Sequence, residues 1–309
     1  MKTQWIVKDI PSQHGKTIIV TGANSGIGWE AALALARSGG NVILAVRSAE
    51  KGKEAVARII NQIPTANVRF ELLDLASLRS VHAFADKMNK EAKLDILVNN
   101  AGVMSVPQRE VTEDGFERQF GTNYMGPFAL TGLLMPVLRR APSPRVVVVS
   151  SAAANMGMKK IDFDDLQLEK SYAPWKAYCQ SKLADLLFSQ ELARRSKAAG
   201  INLLSVAAHP GYARTNLQTT GSNTTEIFFM NIVGSVISQD AAHGALPTLR
   251  AAVEKDAPQG SYYAPSRMFH LKGDPVRISI PSPAQDIEAA KRLWEVSEKL
   301  TGVHFSLIG

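Results

Sequence analysis

Cysteine is almost absent: Cys179 is the single one in 309 residues. That excludes an internal disulfide framework and a cysteine-based zinc site, and it fits a reducing compartment. Long apolar runs are missing too. No window approaches the roughly 18 consecutive apolar residues that a membrane helix needs, and Met1 to Gln13 has no signal-peptide core. The expectation is a soluble, cytoplasmic protein without a membrane partner. Charged residues make up only 20% of the chain and form no extended tract, which excludes a disordered protein. The formal net charge is +7, yet the basic pairs Arg139-Arg140, Lys159-Lys160 and Arg194-Arg195 lie far apart without interleaved aromatics. Nucleic acid is therefore not expected as a partner; the pairs read as solvated helix ends. A basic balance also suits an anionic cofactor.

What the chain does have is apolar content, 45% of its residues, enough for one large α/β domain or two small ones. No repeat or linker divides it, so residues 1–309 read as one domain, with substrate-loop regions around 213–240 and 264–284. Lys16 to Thr21 is a β-branched run of the kind that fills a buried parallel strand. Gly22-Ala23-Asn24-Ser25-Gly26-Ile27-Gly28 follows at once, and Trp29 to Arg37 continues as a helix. Strand, glycine turn and helix in that order make a phosphate-binding unit: the glycines let the backbone approach a pyrophosphate, and the helix N-terminus offers free N–H groups. The spacing is GxxxGxG, distinct from the general GxGxxG dinucleotide fingerprint.

Asn41 to Val46 reads as a second strand, and Arg47 stands where a dinucleotide fold presents the side chain that meets the adenosine ribose. A carboxylate there suits a free 2′-hydroxyl. An arginine makes charge-assisted bonds to a 2′-phosphate, which favours NADP(H) over NAD(H). After a helix over Glu50 to Ile63 and a strand over Val68 to Leu73, Asp74-Leu75 either holds an adenine edge or starts the helix Ser77 to Asn89 as its cap. Leu94 to Val98 is a strand closed by Asn99-Asn100-Ala101-Gly102, small residues over which a cofactor can lie closely. Asp114 to Leu138 reads as one long helix with Asn123 in its interior, a disfavoured position that points to packing, a kink or a proton path. Arg145 to Val149 is a strand ended by Ser150-Ser151, at the crevice side of the sheet.

Tyr178-Cys179-Gln180-Ser181-Lys182 then opens a helical stretch to Arg195. Tyrosine and lysine four apart share one helix face, and an adjacent ammonium favours the phenolate, bringing the tyrosine towards a working pKa for proton transfer to a carbonyl oxygen. Such a pair on its own is more often an amphipathic edge; its company gives it meaning. Ile201 to Ala208 and Gly260 to Ala264 are further strands, with His209-Pro210-Gly211 and Thr215 after the former. His209 has no second ligand nearby in sequence, so no metal is expected. The apolar run with Phe228, Phe229, Met230 and Ile232 is a lid helix or plain core, Pro265 to Pro283 is irregular, and Ala284 to Leu300 is a closing helix. Alternating strands and helices predict a Rossmann-type, doubly wound α/β sheet of about seven parallel strands flanked by helices.

TGANSGIG (21 to 28), NNAG (99 to 102), Asn123, Ser151, YCQSK (178 to 182) and HPG (209 to 211), in this order over nearly the whole chain, resemble the short-chain dehydrogenase/reductase family. The ANSGIG turn, Arg47, the YCQSKLA helix and HPG resemble its retinol-dehydrogenase-like branch of NADP(H) carbonyl reductases, without the hydrophobic N-terminal anchor of the membrane-bound members. The resemblance implies that Tyr178 is the general acid in reduction and base in oxidation. Lys182 lowers its pKa and bonds the nicotinamide ribose, Ser151 rather than Ser150 binds the substrate oxygen, and Asn123 holds a water linking Lys182 to solvent. It further implies that Gly22, Ser25, Gly26, Ile27 and Gly28 cradle the pyrophosphate, that Asp74, Leu75 and Asn100 frame adenine and its ribose, and that Pro210, Gly211 and Thr215 seat the nicotinamide. The expected reaction is the reversible, NADPH-dependent reduction of a hydrophobic ketone or aldehyde. The alternatives are an NADP(H)-binding sensor or scaffold without chemistry, or the same site run as an alcohol dehydrogenase. Monomer and homo-oligomer both stay open.

Overall fold

The apolar runs become strands because their side chains alternate between two buried faces. In β1 (Thr17–Thr21), Ile18 and Val20 join one core and Ile19 the other; in β2 (Asn41–Val46), Val42, Leu44 and Val46 part from Ile43 and Ala45 in the same way. A strand covered on both faces needs no polar side, which is why the runs look continuous. β3 (Val68–Leu72), β4 (Ile96–Asn99), β5 (Arg145–Val149), β6 (Leu204–Ala208) and β7 (Tyr262–Arg267) extend the sheet. The computed structural model describes residues 5–211 and 240–307. Within them the sheet runs β3-β2-β1-β4-β5-β6-β7-β8, parallel up to β7, with β8 (Lys272–Ile278) antiparallel at the edge.

One face is covered by α1 (Gly26–Arg37), α2 (Ala49–Gln62) and the later helix α8 (Ala241–Val253). The other carries α3 (Leu78–Met88), α5 (Gly126–Leu133), α7 (Pro174–Ala198) and α9 (Ile287–Thr301), around an aromatic cluster of Tyr124, Phe128, Phe188 and Trp294. The strand order reverses between β1 and β4, so the crevice lies over the carboxyl ends of the central strands. Among the described residues no helix is long and apolar enough to cross a membrane.

Two expectations are corrected. The single helix over Asp114 to Leu138 is instead α4 (Arg118–Phe120), a π-helical turn (Gly121–Met125), α5 and α6 (Met135–Leu138). Gly115 at φ +82° and a bridge between Val111 and Glu117 keep the chain non-helical up to Glu117, whose carboxylate accepts from the Gln119 and Phe120 N–H groups. Pro127 and Pro136 then interrupt the ladder of helical bonds. Second, part of the irregular stretch Pro265 to Pro283 is the strand β8. Gly273 and Pro275 hide it in the sequence, and an edge strand tolerates both; Pro275 pairs with Pro265 across the hairpin.

Candidate active site

The turn after β1 is held by the protein's own groups before any ligand is considered. Gly22 adopts φ +68°, and its N–H donates to the Ala45 carbonyl at 2.8 Å. The Thr21 hydroxyl accepts from the N–H groups of Asn100 and Ala101, each at 2.9 Å, and the Asn100 amide donates to the Thr21 carbonyl at 2.8 Å. A Cβ on Gly22 would lie 2.9 Å from the Ala101 Cα, and one on Gly28 only 2.4 Å from the Asn100 amide nitrogen and 2.7 Å from the Gly22 carbonyl oxygen. The glycines therefore let β1 and the Asn99-Asn100-Ala101-Gly102 stretch touch. One N–H of the Asn100 side chain braces that contact; its amide oxygen is not used in it. Thr21, the hub of the arrangement, was missed by sequence reasoning although it heads the TGANSGIG motif.

Helix α1 opens at Gly26, φ +57°, behind Ser25, whose hydroxyl accepts no helix N–H; it accepts from the Asn24 amide at 3.4 Å. Helices α2 and α3 differ: Ser48 and Ser77 accept from the N–H groups of Lys51 and Ser80. An uncapped helix N-terminus beside a glycine turn is what a phosphate group requires, so the residues present fit a dinucleotide. Ile27 is partly buried against the core shared by α1 and α8. Arg47 lies exposed just past β2 and makes no hydrogen bond or ion pair among the described residues. Asp74 is not the cap of α3. Its carboxylate accepts from the Ala76 N–H at 3.0 Å and its N–H donates to Ser80, while the buried Leu75 packs under Gly126, where a Cβ would stand 2.2 Å from the Leu75 carbonyl oxygen.

On the other side of the crevice, Pro174 starts α7 with its φ already suited to a helix. Tyr178, 8% exposed, packs with Ala153, Met104 and Met158, and its ring lies 5.8 Å from that of Trp175. Its hydroxyl has no hydrogen-bond partner among the described residues. The two serines after β5 separate clearly: Ser150 is buried and donates to the Lys182 carbonyl at 2.7 Å, whereas Ser151 caps the 3-10 turn Ala152–Asn155 by accepting from the Ala153 N–H at 3.2 Å. Ser150 is tied into helix packing; Ser151 keeps a donor proton.

Asn123 sits in the π-helical turn, which directs it at the loop after β4. Its oxygen accepts from the Val103 N–H at 2.7 Å, and its amide donates to the Val103 carbonyl and to the Ser181 hydroxyl, both at 2.9 Å. Gly102 lies between: a Cβ there would be 3.2 Å from the Asn123 oxygen and 3.7 Å from the Lys182 Nζ. The Lys182 ammonium lies 5.9 Å from the centroid of the Tyr178 ring and bonds to the Val149 carbonyl at 3.0 Å and the Asp185 carboxylate at 2.8 Å. Asp185 was not singled out in the sequence; its only signal is a carboxylate at i+3 from Lys182 on a helix that is apolar there. Burial works against the Lys182 charge, yet Asp185 and Tyr178 carry its pKa above the ordinary lysine value. Burial also pushes the Asp185 carboxyl well above the usual carboxylate range, Lys182 offsetting only part of that.

His209 ends β6, buried, with Nδ1 accepting from the Gly211 N–H at 3.1 Å; burial pushes its pKa down to about 3, so the ring is neutral. Pro210 is partly buried, and Gly211, at φ +70°, packs against the Leu271 carbonyl in the β7–β8 turn. Thr215, Tyr212 and the Phe228-Phe229 run lie outside the described residues. A second feature missed in the sequence is Gln119, fully buried, which ties the loop after β4 to the loop before α7. It accepts from the Ser105 N–H and donates to the Tyr172 hydroxyl and the Pro174 carbonyl. Tyr172 in turn donates to the Val106 carbonyl at 2.6 Å. These loops bring Met104, Met158 and Trp175 around Tyr178.

A parallel sheet reversing at β1 and β4, a glycine turn with an open helix end, and a Ser-Tyr-Lys set across the crevice define a nucleotide-dependent oxidoreductase of the short-chain type. The chain belongs to the short-chain dehydrogenase family: residues 16–162 match the family's model, described as short chain dehydrogenase. It is 44% identical over 297 residues to retinol dehydrogenase 13 of Mus musculus, covering 94% of this chain and 84% of that one, which places it with the retinol-dehydrogenase-like members. Among solved structures, an uncharacterized protein from Mycobacterium paratuberculosis superposes with a TM-score of 0.81 at 42% identity over 98% of this chain and 99% of that one. A short chain dehydrogenase from Escherichia coli CFT073 complexed with NADPH gives a TM-score of 0.56 at 25% identity, over 75% and 99%.

Proposed function

We propose that this protein catalyses the reversible, NADPH-dependent reduction of a hydrophobic ketone or aldehyde. The observation that carries the reading is the contrast between hydroxyls at one crevice. Ser150 and Ser181 are tied into the protein, while among the described residues the Tyr178 hydroxyl has no partner and Ser151 keeps its proton to donate. Ser151 and Tyr178 would both donate to a substrate carbonyl oxygen, polarising it. Tyr178 then gives its proton to that oxygen in reduction and takes it back in oxidation, and the buried Lys182 ammonium favours the phenolate this leaves. When bound, a reduced nicotinamide supplies the hydride. Asn123, in the π-helical turn, holds the loop after β4 at Val103 by two internal bonds, so this part of the crevice would be set before a substrate arrives.

The uncapped α1, the glycine turn from Gly22 to Gly28 and the small residues Ala101 and Gly102 would hold the pyrophosphate and ribose, and the unpaired guanidinium of Arg47 would meet a 2′-phosphate. The E. coli relative's complex with NADPH supports that choice. Met104, Met158 and Trp175 around Tyr178 favour an apolar substrate, adaptable in shape because thioethers repack easily. The name of the mouse relative, a retinol dehydrogenase, supports an alcohol as the reduced partner.

The test is loss of nicotinamide absorbance when the protein is mixed with NADPH and a panel of apolar ketones and aldehydes, repeated with Tyr178→Phe. Turnover should fall by about a thousandfold, within the range for general acid catalysis, with NADPH affinity held. A Tyr178→Phe protein that keeps most of its rate removes the tyrosine from the mechanism, and NADPH binding without turnover of any carbonyl or alcohol favours the sensor reading instead.

A further inference from the structure

The catalytic-helix ammonium does not stand alone. Lys182 and Asp185 form an ion pair at 2.8 Å in which the side chains are 6% and 2% exposed, one turn of α7 below Tyr178. The Nζ is held at two points, the Asp185 carboxylate and the Val149 carbonyl at the end of β5, and nothing else among the described residues is bonded to it. Among the described residues the groups packed around the pair from other elements carry no charge. Tyr124, from the π-helical turn, and Tyr262, on β7, both feel the Asp185 charge but are kept protonated by burial, far above the ordinary tyrosine range. His209, whose ring lies 5.5 Å from that of Tyr262, is kept neutral by burial. Among the described residues Asp185 is therefore the one counter-charge in contact with Lys182.

That isolation matters because an unpaired ammonium in such a place would lose its proton at lower pH, and with it the field that favours the Tyr178 phenolate. We propose that Asp185 is a positioning residue of the active site: its carboxylate keeps the Lys182 ammonium charged and pinned against Val149, so that the charge beside Tyr178 persists into alkaline pH. The inference rests on the reading of Tyr178 and Lys182 as the proton-transfer pair, and it adds a residue to that pair. The sign is fixed by the geometry. A carboxylate partner raises the lysine pKa, so its removal lowers that pKa, and the Lys182 charge is then lost from the alkaline side first.

Asp185→Asn is the decisive variant, since it keeps an oxygen acceptor for the ammonium and removes only the charge. Followed in the direction of alcohol oxidation, where Tyr178 is the base and needs the charge on Lys182, the alkaline limb of kcat should move down by about one pH unit or more, the scale of one lost charge partner, while KM changes by less than about twofold and the rate below that limb stays near the parent's. A uniform fall at every pH, or a profile that superposes on the parent's, overturns the proposal, because packing alone would act without regard to pH. A second measurement uses thermal unfolding of the cofactor-free protein and does not depend on turnover. Asp185→Leu should lower the midpoint sharply, and adding Lys182→Met to it should restore most of the loss, as the stranded charge is removed. A double variant no more stable than Asp185→Leu overturns the pairing, even if Asp185→Asn fails to fold. Restoration of stability in the double variant, together with a parent protein that turns over neither carbonyl nor alcohol, would leave the ion pair in place and refute the enzymatic reading beneath it.

Discussion

The two walls of the crevice are prepared in opposite ways. At the β1 turn the backbone donors at the start of α1 are left without a side-chain cap, and the glycines are packed against Ala101 and Asn100 so closely that no side chain fits. At the α7 wall almost every polar group is already partnered inside the protein: Ser150 with the Lys182 carbonyl, Asn123 with Val103 and Ser181, Lys182 with Asp185. On the proposed reading the first wall would bind through what it withholds from itself, and the second would do chemistry through the few groups left over among the described residues, Tyr178 and Ser151. An anion site is assembled by leaving N–H groups open, whereas a proton-transfer site has to fix its neighbours so that only the reacting hydroxyls keep a proton to give.

The strongest blow to the first wall is Gly28→Val. Its Cβ would fall inside the Asn100 amide and the Gly22 carbonyl, both fixed by other bonds, so the turn must open. Overpacking of that kind costs roughly 1–3 kcal/mol, and NADPH affinity, followed by quenching of tryptophan fluorescence, should fall by about tenfold or more. Unchanged affinity would mean the turn is not the phosphate cradle and the contrast between the walls is lost. Arg47→Asp is expected to act more narrowly. The guanidinium is exposed and unpaired among the described residues, so stability should hold while the ratio of NADPH to NADH affinity drops by about tenfold, the loss of one charge-assisted contact. A ratio that does not move would assign phosphate recognition to another residue.

The same contrast explains what the sequence told and what it kept back. Buried parallel strands announce themselves through runs such as RVVVV at 145 to 149, and the glycine turn through its strand and helix flanks, because both are properties of consecutive residues. The bracing of that turn by Thr21 and Asn100 joins positions 79 and 80 residues apart, and no local pattern carries it. The helix predicted over Asp114 to Leu138 failed for a related reason: the apolar periodicity continues through α5 and α6, while the break at Glu117 goes with a bridge to Val111 that no local pattern carries. β8 was hidden by Gly273 and Pro275, acceptable only because its far side is a sheet edge. The choice between Ser150 and Ser151 came from family resemblance; the bond that ties Ser150 to the Lys182 carbonyl, 32 residues away, left no local sign in the sequence. Asp185 looked like any helical acid until its burial beside Lys182 was on view.

The smallest expected effect tests the difference between helix ends directly. Ser77 accepts from the Ser80 N–H and donates to Glu113, so Ser77→Ala removes a cap and strands part of a carboxylate's bonding; the unfolding free energy should fall by about 1 kcal/mol, the usual value of an N-cap. Ser25, at the matching position of α1, accepts no helix N–H, and Ser25→Ala in the cofactor-free protein should therefore change the unfolding free energy by no more than about 0.5 kcal/mol, within the scatter of surface substitutions. Denaturant unfolding of the two variants side by side reads both numbers. Equal losses at Ser25 and Ser77 would show that α1 is capped like its neighbours, and the open helix end on which the first wall depends would not exist.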